Sequence, residues 1–341
     1  MKKKVRYAVI GLGHIAEVAV LPAFSNSGNS VLAALISDDP AKLRRLGERY
    51  GVRGLYSYDR FDECMSSGEV DALYIALPNH LHAEYTIRAA RFGVHVLCEK
   101  PMAVTAKECQ SMIRACQAGN VRLMVAYRLQ LEKANQSAIR LVRSGRIGEP
   151  RLFNSIFTMN VTEGNVRLQG GAGGGPLYDV GIYCLNAARH LFGEEPTEVI
   201  GTAASGDDGR FGEVEEMLSA TIRFPQNRLA TFLCSFGATF CGEYRVVGTK
   251  GSIRLAPAFD YARELKQTIV TAGKQTHRTF AKSDQFATEL TYFSRCIQRG
   301  VDPEPSGREG LADVRVIEAL YRSVATSRPV ALPPWSSTAP A

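Results

Sequence analysis

The first third of the chain alternates two patterns. Short, continuously apolar runs cover residues 5–10 (VRYAVI), 30–37 (SVLAALIS), 71–77 (DALYIAL), 94–99 (VHVLCE) and 121–127 (VRLMVAY). Between them, residues 14–25, 40–50, 80–92 and 105–118 repeat apolar positions at helical spacing. Apolar runs without polar interruption suit strands buried on both faces, so their alternation with helices predicts a parallel, doubly wound sheet. After residue 127 the pattern changes. A helix is predicted over 129–144, followed by strands over 150–161, 197–205, 214–224, 228–237, 243–248 and 252–255. Consecutive strands with few helices between them predict an open, mostly antiparallel sheet. A further helix is expected from Pro176 to about His190, and an amphipathic one over 306–326. The fold class is therefore α/β: a dinucleotide-type domain over 1–126 and an α+β domain over 127–341.

The first strand runs directly into GLGHIA, a GxGxxA turn that opens the first helix. Gly11 permits the tight turn, Gly13 lets backbone approach a pyrophosphate, and Ala16 keeps helix and strand close. The helix N-terminus then offers its free N–H groups, from His14 and Ile15 onward, to an anion. In this strand–turn–helix context the motif predicts a Rossmann domain that binds a dinucleotide. At the tip of the second strand the chain reads Ser37, Asp38, Asp39, Pro40 and Lys42. A carboxylate there would suit the ribose 2′-OH of NAD. Asp39 before Pro40, however, reads as a helix N-cap with Pro in the first helical position. Asp38 reads as solvated, and a hydroxyl and an ammonium at Ser37 and Lys42 suit a 2′-phosphate. NADP(H) is expected over NAD(H).

Two further loops fall at the carboxyl ends of predicted parallel strands, where ligands bind in such sheets. LPNHLH supplies Leu77, Pro78, Asn79, His80 and His82, and CEKPMA supplies Glu99, Lys100 and Pro101. Pro101 cannot continue a strand, so it fixes the turn and aims Lys100 over the sheet. His82 is a candidate cofactor contact that could equally pack at the start of its helix. No carboxylate or cysteine cluster accompanies the histidines, and no metal site is expected.

Composition narrows the remaining choices. The 341 residues suffice for two substantial cores, with 45% hydrophobic and 22% charged residues. The formal net charge is +7, but its basic residues are scattered among acids and form no stripe. A nucleic-acid partner is not expected, and an anionic small molecule is. Eight cysteines lack metal spacing and mostly sit in apolar runs, which suggests buried thiols in a reducing, cytoplasmic setting. No run approaches the roughly 20 apolar residues of a membrane span.

The stretch GGAGGGPLYDVGIYC, residues 170–184, contains five glycines in six positions. It lacks the Lys and hydroxyl pair that follow a phosphate loop, so it is read as a flexible approach to the helix beginning at Pro176. Asp179 and Tyr183 stand four apart on one face of that helix. Gly181 between them removes bulk where the helix would near a backbone or a cofactor ring. Without further information, Asp179 could equally be a first-turn carboxylate and Tyr183 a core aromatic.

With GLGHIA, LPNHLH and CEKP in this order, the chain resembles the glucose–fructose oxidoreductase/inositol dehydrogenase family. The resemblance covers nearly the whole chain. It continues through AYRLQ (Tyr127, Arg128), GGGPLYDVGIYCLN and PEPSGREGLADVRVIEALYRS, and is nearest the glucose–fructose oxidoreductase branch. It implies a lysine beside the reacting carbon, matched here by Lys100. It also implies an Asp and a His acid/base, matched by Asp179 and Tyr183, with Tyr replacing His as in that branch. Ser37 and Lys42 match that branch's NADP site, and the C-terminal segment is implied to pack back toward the first domain.

The implied activity is NADP(H)-dependent hydride transfer at a carbinol or carbonyl carbon of an aldose or keto-sugar. A free tyrosine is a poor base at neutral pH, and an ammonium beside it favours the phenolate and stabilises a developing alkoxide. The candidate catalytic residues are thus Tyr183, Lys100 and Asp179, with Arg128 and Arg167 as further substrate contacts. Cofactor contacts are expected from Gly11, Gly13, His14, Ile15, Ser37, Lys42, Leu77, Pro78, Asn79, His82, Glu99, Lys100 and Arg128. Alternatives are a dihydrodiol-type dehydrogenase or a non-catalytic NADP-binding regulator. The apolar alternation of the second sheet predicts a homodimer or homotetramer formed through it.

Overall fold

In a computed structural model, residues 3–335 are described, and they form two compact units. The first holds the chain up to Arg128 together with Asp284–Leu311. Its sheet has six parallel strands in the order β3-β2-β1-β4-β5-β6. These are β1 (Val5–Ile10), β2 (Ser30–Ile36), β3 (Gly54–Tyr56), β4 (Ala72–Ile75), β5 (His95–Cys98) and β6 (Leu123–Val125). A helical segment over 14–26 (α1) follows β1, with a π-wound turn over Ala16–Val20. α2 (Pro40–Tyr50) is capped by Asp39, whose carboxylate accepts from the Lys42 N–H, and has Pro in its first turn as the sequence predicts. α3 (Phe61–Ser66), α4 (His82–Arg91) and α5 (Ala106–Ala118) complete the crossovers, and a Thr105/Glu108 capping box starts α5.

The pattern predicted neither β3, three residues long, nor α3. It also missed α8 (Gln285–Arg299), which folds with the first unit although it lies far along the chain. A cut after residue 126 therefore does not describe the division, because residues 284–311 return to the first sheet. Their attachment is polar as well as apolar. The Ser294 hydroxyl lies 2.8 Å from both the Tyr7 and Ser30 hydroxyls, and Asn29 Nδ2 donates to the Thr291 carbonyl at 3.0 Å.

The second unit holds Leu129–Ser283 and, among the described residues, the chain from Ala312 to Trp335. α6 (Lys133–Arg143) is capped by the Glu132 carboxylate. A nine-stranded sheet then builds in the order β14-β13-β12-β11-β7-β10-β9-β8-β15. Its strands are β7 (Pro150–Asn160), β8 (Glu198–Ala204), β9 (Met217–Phe224), β10 (Arg228–Ser235) and β11 (Gly237–Gly248). β12 (Gly251–Leu255), β13 (Leu265–Thr271), β14 (Lys274–Phe280) and β15 (Val330–Ala331) complete it. Only β7 and β10 run parallel, so the sheet is mostly antiparallel as predicted. The β9–β10 hairpin read from FPQNRLA turns at Gln226 and Asn227, both at positive φ. Along β9 buried and exposed residues strictly alternate, which gives the sheet one packed face.

On that face lies α7 (Ile182–Phe192), entered through a π-wound turn, Leu177–Gly181. α9 (Gly307–Thr326) divides its residues between the units after Leu311. Within the second unit, α7 is tied to the later part of α9 by buried charges. Arg189, 4% exposed, donates to Asp313 at 2.6 Å and to both oxygens of Glu195 at 2.6 and 2.8 Å. Asn186 Nδ2 donates to the other Asp313 oxygen at 2.8 Å. Removing one member of such a pair strands the other without water. Asp313→Ala is therefore expected to cost about 3–5 kcal/mol of stability, read by chemical denaturation. An unchanged midpoint would show that this network does not hold α7.

Candidate active site

At the exit of β1, Gly11 takes φ +86°, and a Cβ there would stand 2.5 Å from the Ala76 carbonyl oxygen. Only glycine fits both the conformation and the space. A Cβ on Gly13 would meet nothing within 4 Å, so the backbone there borders open space. The pair thus forms a turn with room for a pyrophosphate beside a helix start, which fits the dinucleotide predicted from GLGHIA. His14 is exposed and Ile15 half-buried.

Beside this turn, the Lys42 ammonium donates to the Leu12 carbonyl at 3.1 Å and lies 3.5 Å from Glu17. Ser37 is buried, and its hydroxyl accepts from the Asp39 N–H at 3.2 Å. Asp38 is exposed, with its carboxylate accepting from the Tyr58 N–H at 2.8 Å. Both aspartates at the β2 tip therefore have structural employment.

The loops after β4 and β5 are joined through His82. Its ring is fully buried, with Nδ1 2.9 Å from the Pro101 carbonyl and Nε2 2.8 Å from the Leu77 carbonyl. Burial pulls the imidazole pKa down, although both carbonyls favour the protonated ring. The expectation that His82 contacts the cofactor is corrected, since both nitrogens are used internally and no surface remains. It braces Leu77–Asn79 against Glu99–Pro101. Pro78 and Asn79 are half-buried beside it, and His80 is exposed.

Glu99 and Lys100 follow β5 directly. Tyr74, fully buried in β4, donates its hydroxyl to Glu99 Oε1 at 2.8 Å, and the Lys100 N–H approaches Glu99 Oε2 at 3.3 Å. Burial raises the Glu99 pKa, while Lys100, Tyr74 and Arg128 oppose that rise. Arg128 is itself buried and donates to Gln285 Oε1 on α8 at 2.5 Å.

In the second unit the glycine run is a folded turn and not a flexible approach. Backbone N–H groups of Gly173, Gly174 and Gly175 donate to the Gly170, Gln169 and Arg167 carbonyls at 2.9–3.0 Å. Gly175 sits at φ +115°, and a Cβ there would lie 2.9 Å from the Tyr321 hydroxyl. That hydroxyl donates to Glu215 at 2.9 Å, and half-buried Glu215, whose pKa desolvation raises, also accepts from Leu177 backbone. The Tyr321–Glu215 pair thereby holds the start of the helical segment that carries Asp179 and Tyr183.

Asp179 lies within the π turn and Tyr183 in the first α turn after it. Arg167 Nε donates to Asp179 Oδ2 at 2.6 Å, so the two residues form an ion pair. The Tyr183 ring is half-buried against Phe157 and Phe259, with centroids 5.5 and 6.0 Å away. A Cβ on Gly181 would meet Leu177, Cys234 and Phe232 at 2.9–3.4 Å. Its bareness serves packing onto β10, so of the two approaches left open by the sequence, the one to a neighbouring element takes the space. Sequence reasoning missed Tyr74, Gln285, Phe157 and Phe259. Phe157 had a signal, the inward alternation along β7, whereas Phe259 lies in a loop without periodicity.

All eight cysteines are unpaired, and seven are buried. Among the described residues there is no cluster of three or more His, Cys, Asp or Glu suited to a metal, and no helix long and apolar enough to cross a membrane.

Residues 5–127 match the oxidoreductase family with an NAD-binding Rossmann fold, and residues 135–254 match the GFO/IDH/MocA C-terminal domain. The D-xylose 1-dehydrogenase [NADP(+)] of Haloarcula marismortui is 31% identical over 96% of this chain and 93% of its own. The D-xylose 1-dehydrogenase (NADP(+)) 2 of Haloferax volcanii is 30% identical over 96% and 99%. Among solved structures, the aldose-aldose oxidoreductase of Caulobacter crescentus, complexed with glycerol, superposes with a TM-score of 0.93. It is 39% identical, over 97% of this chain and 100% of that one. The parallel sheet with its glycine cradle, the mixed second sheet and these similarities agree: the chain belongs to the GFO/IDH/MocA family, named for glucose–fructose oxidoreductase and inositol dehydrogenase, and is a sugar oxidoreductase with an NAD(P)-binding Rossmann domain.

Proposed function

We propose that this protein is an NADP(H)-dependent oxidoreductase for an aldose or keto-sugar, with Tyr183 exchanging the substrate proton. The observation that carries the reading is an intact Gly11/Gly13 cradle and Lys100 at the β5 exit, in a chain resembling NADP-dependent xylose dehydrogenases end to end. The bound nicotinamide would accept or supply the hydride. Tyr183 takes the hydroxyl proton as a sugar carbinol is oxidised and returns it when a carbonyl is reduced. Lys100 contributes a positive charge that favours the phenolate and the developing alkoxide. Asp179, charged beside Arg167, accepts a neighbouring sugar hydroxyl and fixes the ring.

The β2 tip supports NADP(H). Asp39 caps α2 and Asp38 accepts from the Tyr58 N–H, so each carboxylate at this tip already has a structural partner. The Lys42 ammonium, held beside the Leu12 carbonyl and Glu17, and the Ser37 hydroxyl are the groups at this tip whose chemistry suits a 2′-phosphate.

The outer face of the second sheet supports self-association. Leu152 (51% exposed) stands beside Leu229 in the parallel β7–β10 pair, and Leu233 (46% exposed) beside Ile156. Ile200 and Met217 extend this apolar surface across β8 and β9, and the Glu243–Arg254 ion pair at 2.5 Å lies toward its other side. An apolar centre with a charged margin suits a second copy of the chain, giving a homodimer or a homotetramer.

Three measurements test these readings. Tyr183→Phe is expected to lower kcat by about 10²–10⁴-fold while NADP(H) binding persists, and Lys100→Met by about 10²–10³-fold. Both would be assayed against aldoses, keto-sugars and aromatic diols, and near-normal turnover in either variant removes that residue from the chemistry. Lys42→Met should weaken NADP(+) binding by about 10–100-fold and leave NAD(+) binding unchanged, since a charge-assisted contact contributes about 1.5–3 kcal/mol. Equal losses for the two cofactors would refute a 2′-phosphate role. Finally, Leu152→Glu with Leu233→Glu should convert the oligomer to monomer in sedimentation experiments. A wild-type monomer at micromolar concentration would overturn the interface.

A further inference from the structure

Glu289 is the one acidic side chain among the described residues that is fully buried with neither carboxyl oxygen bonded. It sits on α8 one turn after Gln285, the residue that binds Arg128, and near enough to Tyr74 and Glu99 to act on both electrostatically. A carboxylate in such a place, fully buried and without a protein donor, would cost several kcal/mol, so the group holds its proton. Burial raises its pKa well above the ordinary carboxyl range, and the Glu99 charge raises it further against the pull of Arg128. Glu99 differs in having donors, the Tyr74 hydroxyl and the Lys100 N–H. The pair is therefore ordered, with Glu99 the more easily ionised member and Glu289 the proton carrier.

Few other groups near this pair can change charge. Burial keeps the Tyr74 hydroxyl and the Cys98 thiol protonated. Tyr7 on β1, which meets α8 at Ser294, is likewise held neutral by burial. Glu17 on α1 is occupied by Arg45 and Lys42, and Asp284 caps α8 and accepts from Asn26. On α8 itself, burial raises the pKa of Tyr292 and Cys296, and Arg295 and Arg299 remain cations. His82, between the Leu77 and Pro101 carbonyls, has its pKa lowered by burial, and with it the exchangeable groups to be told apart beside the pair are Glu289, Glu99, His82 and the Lys100 ammonium.

We propose that Glu289 gives up its proton when an oxidised, positively charged nicotinamide ring occupies the carboxyl edge of the parallel sheet, and takes it back when the ring is reduced. This rests on the cofactor reading above. The ring of the oxidised cofactor carries one positive charge that the reduced form lacks. A positive charge brought near a buried neutral carboxyl favours its ionised form. The step is a proton transfer from the Glu289 carboxyl to solvent, with no electron pair leaving the protein. Glu289 would in this way keep the charge at the edge of the sheet nearly constant through the redox cycle.

The test is calorimetric titration of the wild-type protein with NADP(+) and with NADPH, in buffers of different ionisation enthalpy. The two ligands share their phosphates, so the difference in protons released isolates the ring charge. NADP(+) should release more protons than NADPH, by up to one per chain, and Glu289→Gln should abolish the difference while both ligands still bind. Equal release in the wild type overturns the proposal. A difference that persists in Glu289→Gln also overturns it and assigns the proton to another group at that edge, Glu99, His82 or Lys100. Should that variant fail to fold, infrared difference spectra of the wild type decide. A protonated-carboxyl band present with NADPH and absent with NADP(+) supports the proposal, and an unchanged band refutes it. If only NAD(+) and NADH bind, the same comparison is made with them, whereas binding of neither pair defeats the cofactor reading itself.

Discussion

The site is organised around a single close approach. The Ala76 carbonyl oxygen at the exit of β4 stands 2.5 Å from where any side chain at position 11 would begin. The exits of β1 and β4 can meet this closely only because position 11 has no Cβ and tolerates φ +86°. β1 is also where the sheet order reverses, with β2 on one side and β4 on the other. Such a reversal opens a crevice at the carboxyl edge. His82 extends the arrangement laterally by fastening the β4 exit to the β5 exit through two carbonyls. Gly11, Leu77–Asn79 and Glu99–Lys100 are thus placed by backbone contacts, whatever their side chains do.

This explains what could be read from the chain. Continuous apolar runs mark strands buried on both faces, and glycine at a strand exit marks a place where backbone must come close. Both signals are local, and both led to the correct elements. α8 was harder because its partners, Tyr7, Asn29 and Ser30, lie more than 250 residues away in sequence. β14 offered no signal at all, since KQTHRTF is almost wholly exposed at a sheet edge and carries no apolar alternation. Such polarity protects an edge strand and conceals it from pattern reading.

The site residues divide in the same way. The cap at Asp39 was legible because the proline after it fixes the local geometry. Glycine proved ambiguous, since its absence of a side chain does not say what takes the space. At Gly175 the occupant is a tyrosine hydroxyl, and at Gly181 it is the surface of β10. His82 misled for a related reason. A histidine in a ligand-binding loop can face the ligand or hold the loop, and only the positions of the Leu77 and Pro101 carbonyls distinguish the two.

Buried charge is treated in two ways in this molecule, and the contrast is informative. Arg189 and Asp313 are both enclosed, yet each has partners of opposite charge, and Asn186 satisfies the remaining carboxyl oxygen. A group compensated so fully gains nothing by changing protonation, and its value lies in fixing α7. Glu289 is enclosed to the same degree without compensation, so neutrality is its only low-energy state until the local field changes. Nearby charge at a parallel sheet's carboxyl edge is what a redox cofactor alters. Saturated networks therefore belong to the scaffold, and an unsatisfied buried acid belongs where charge comes and goes.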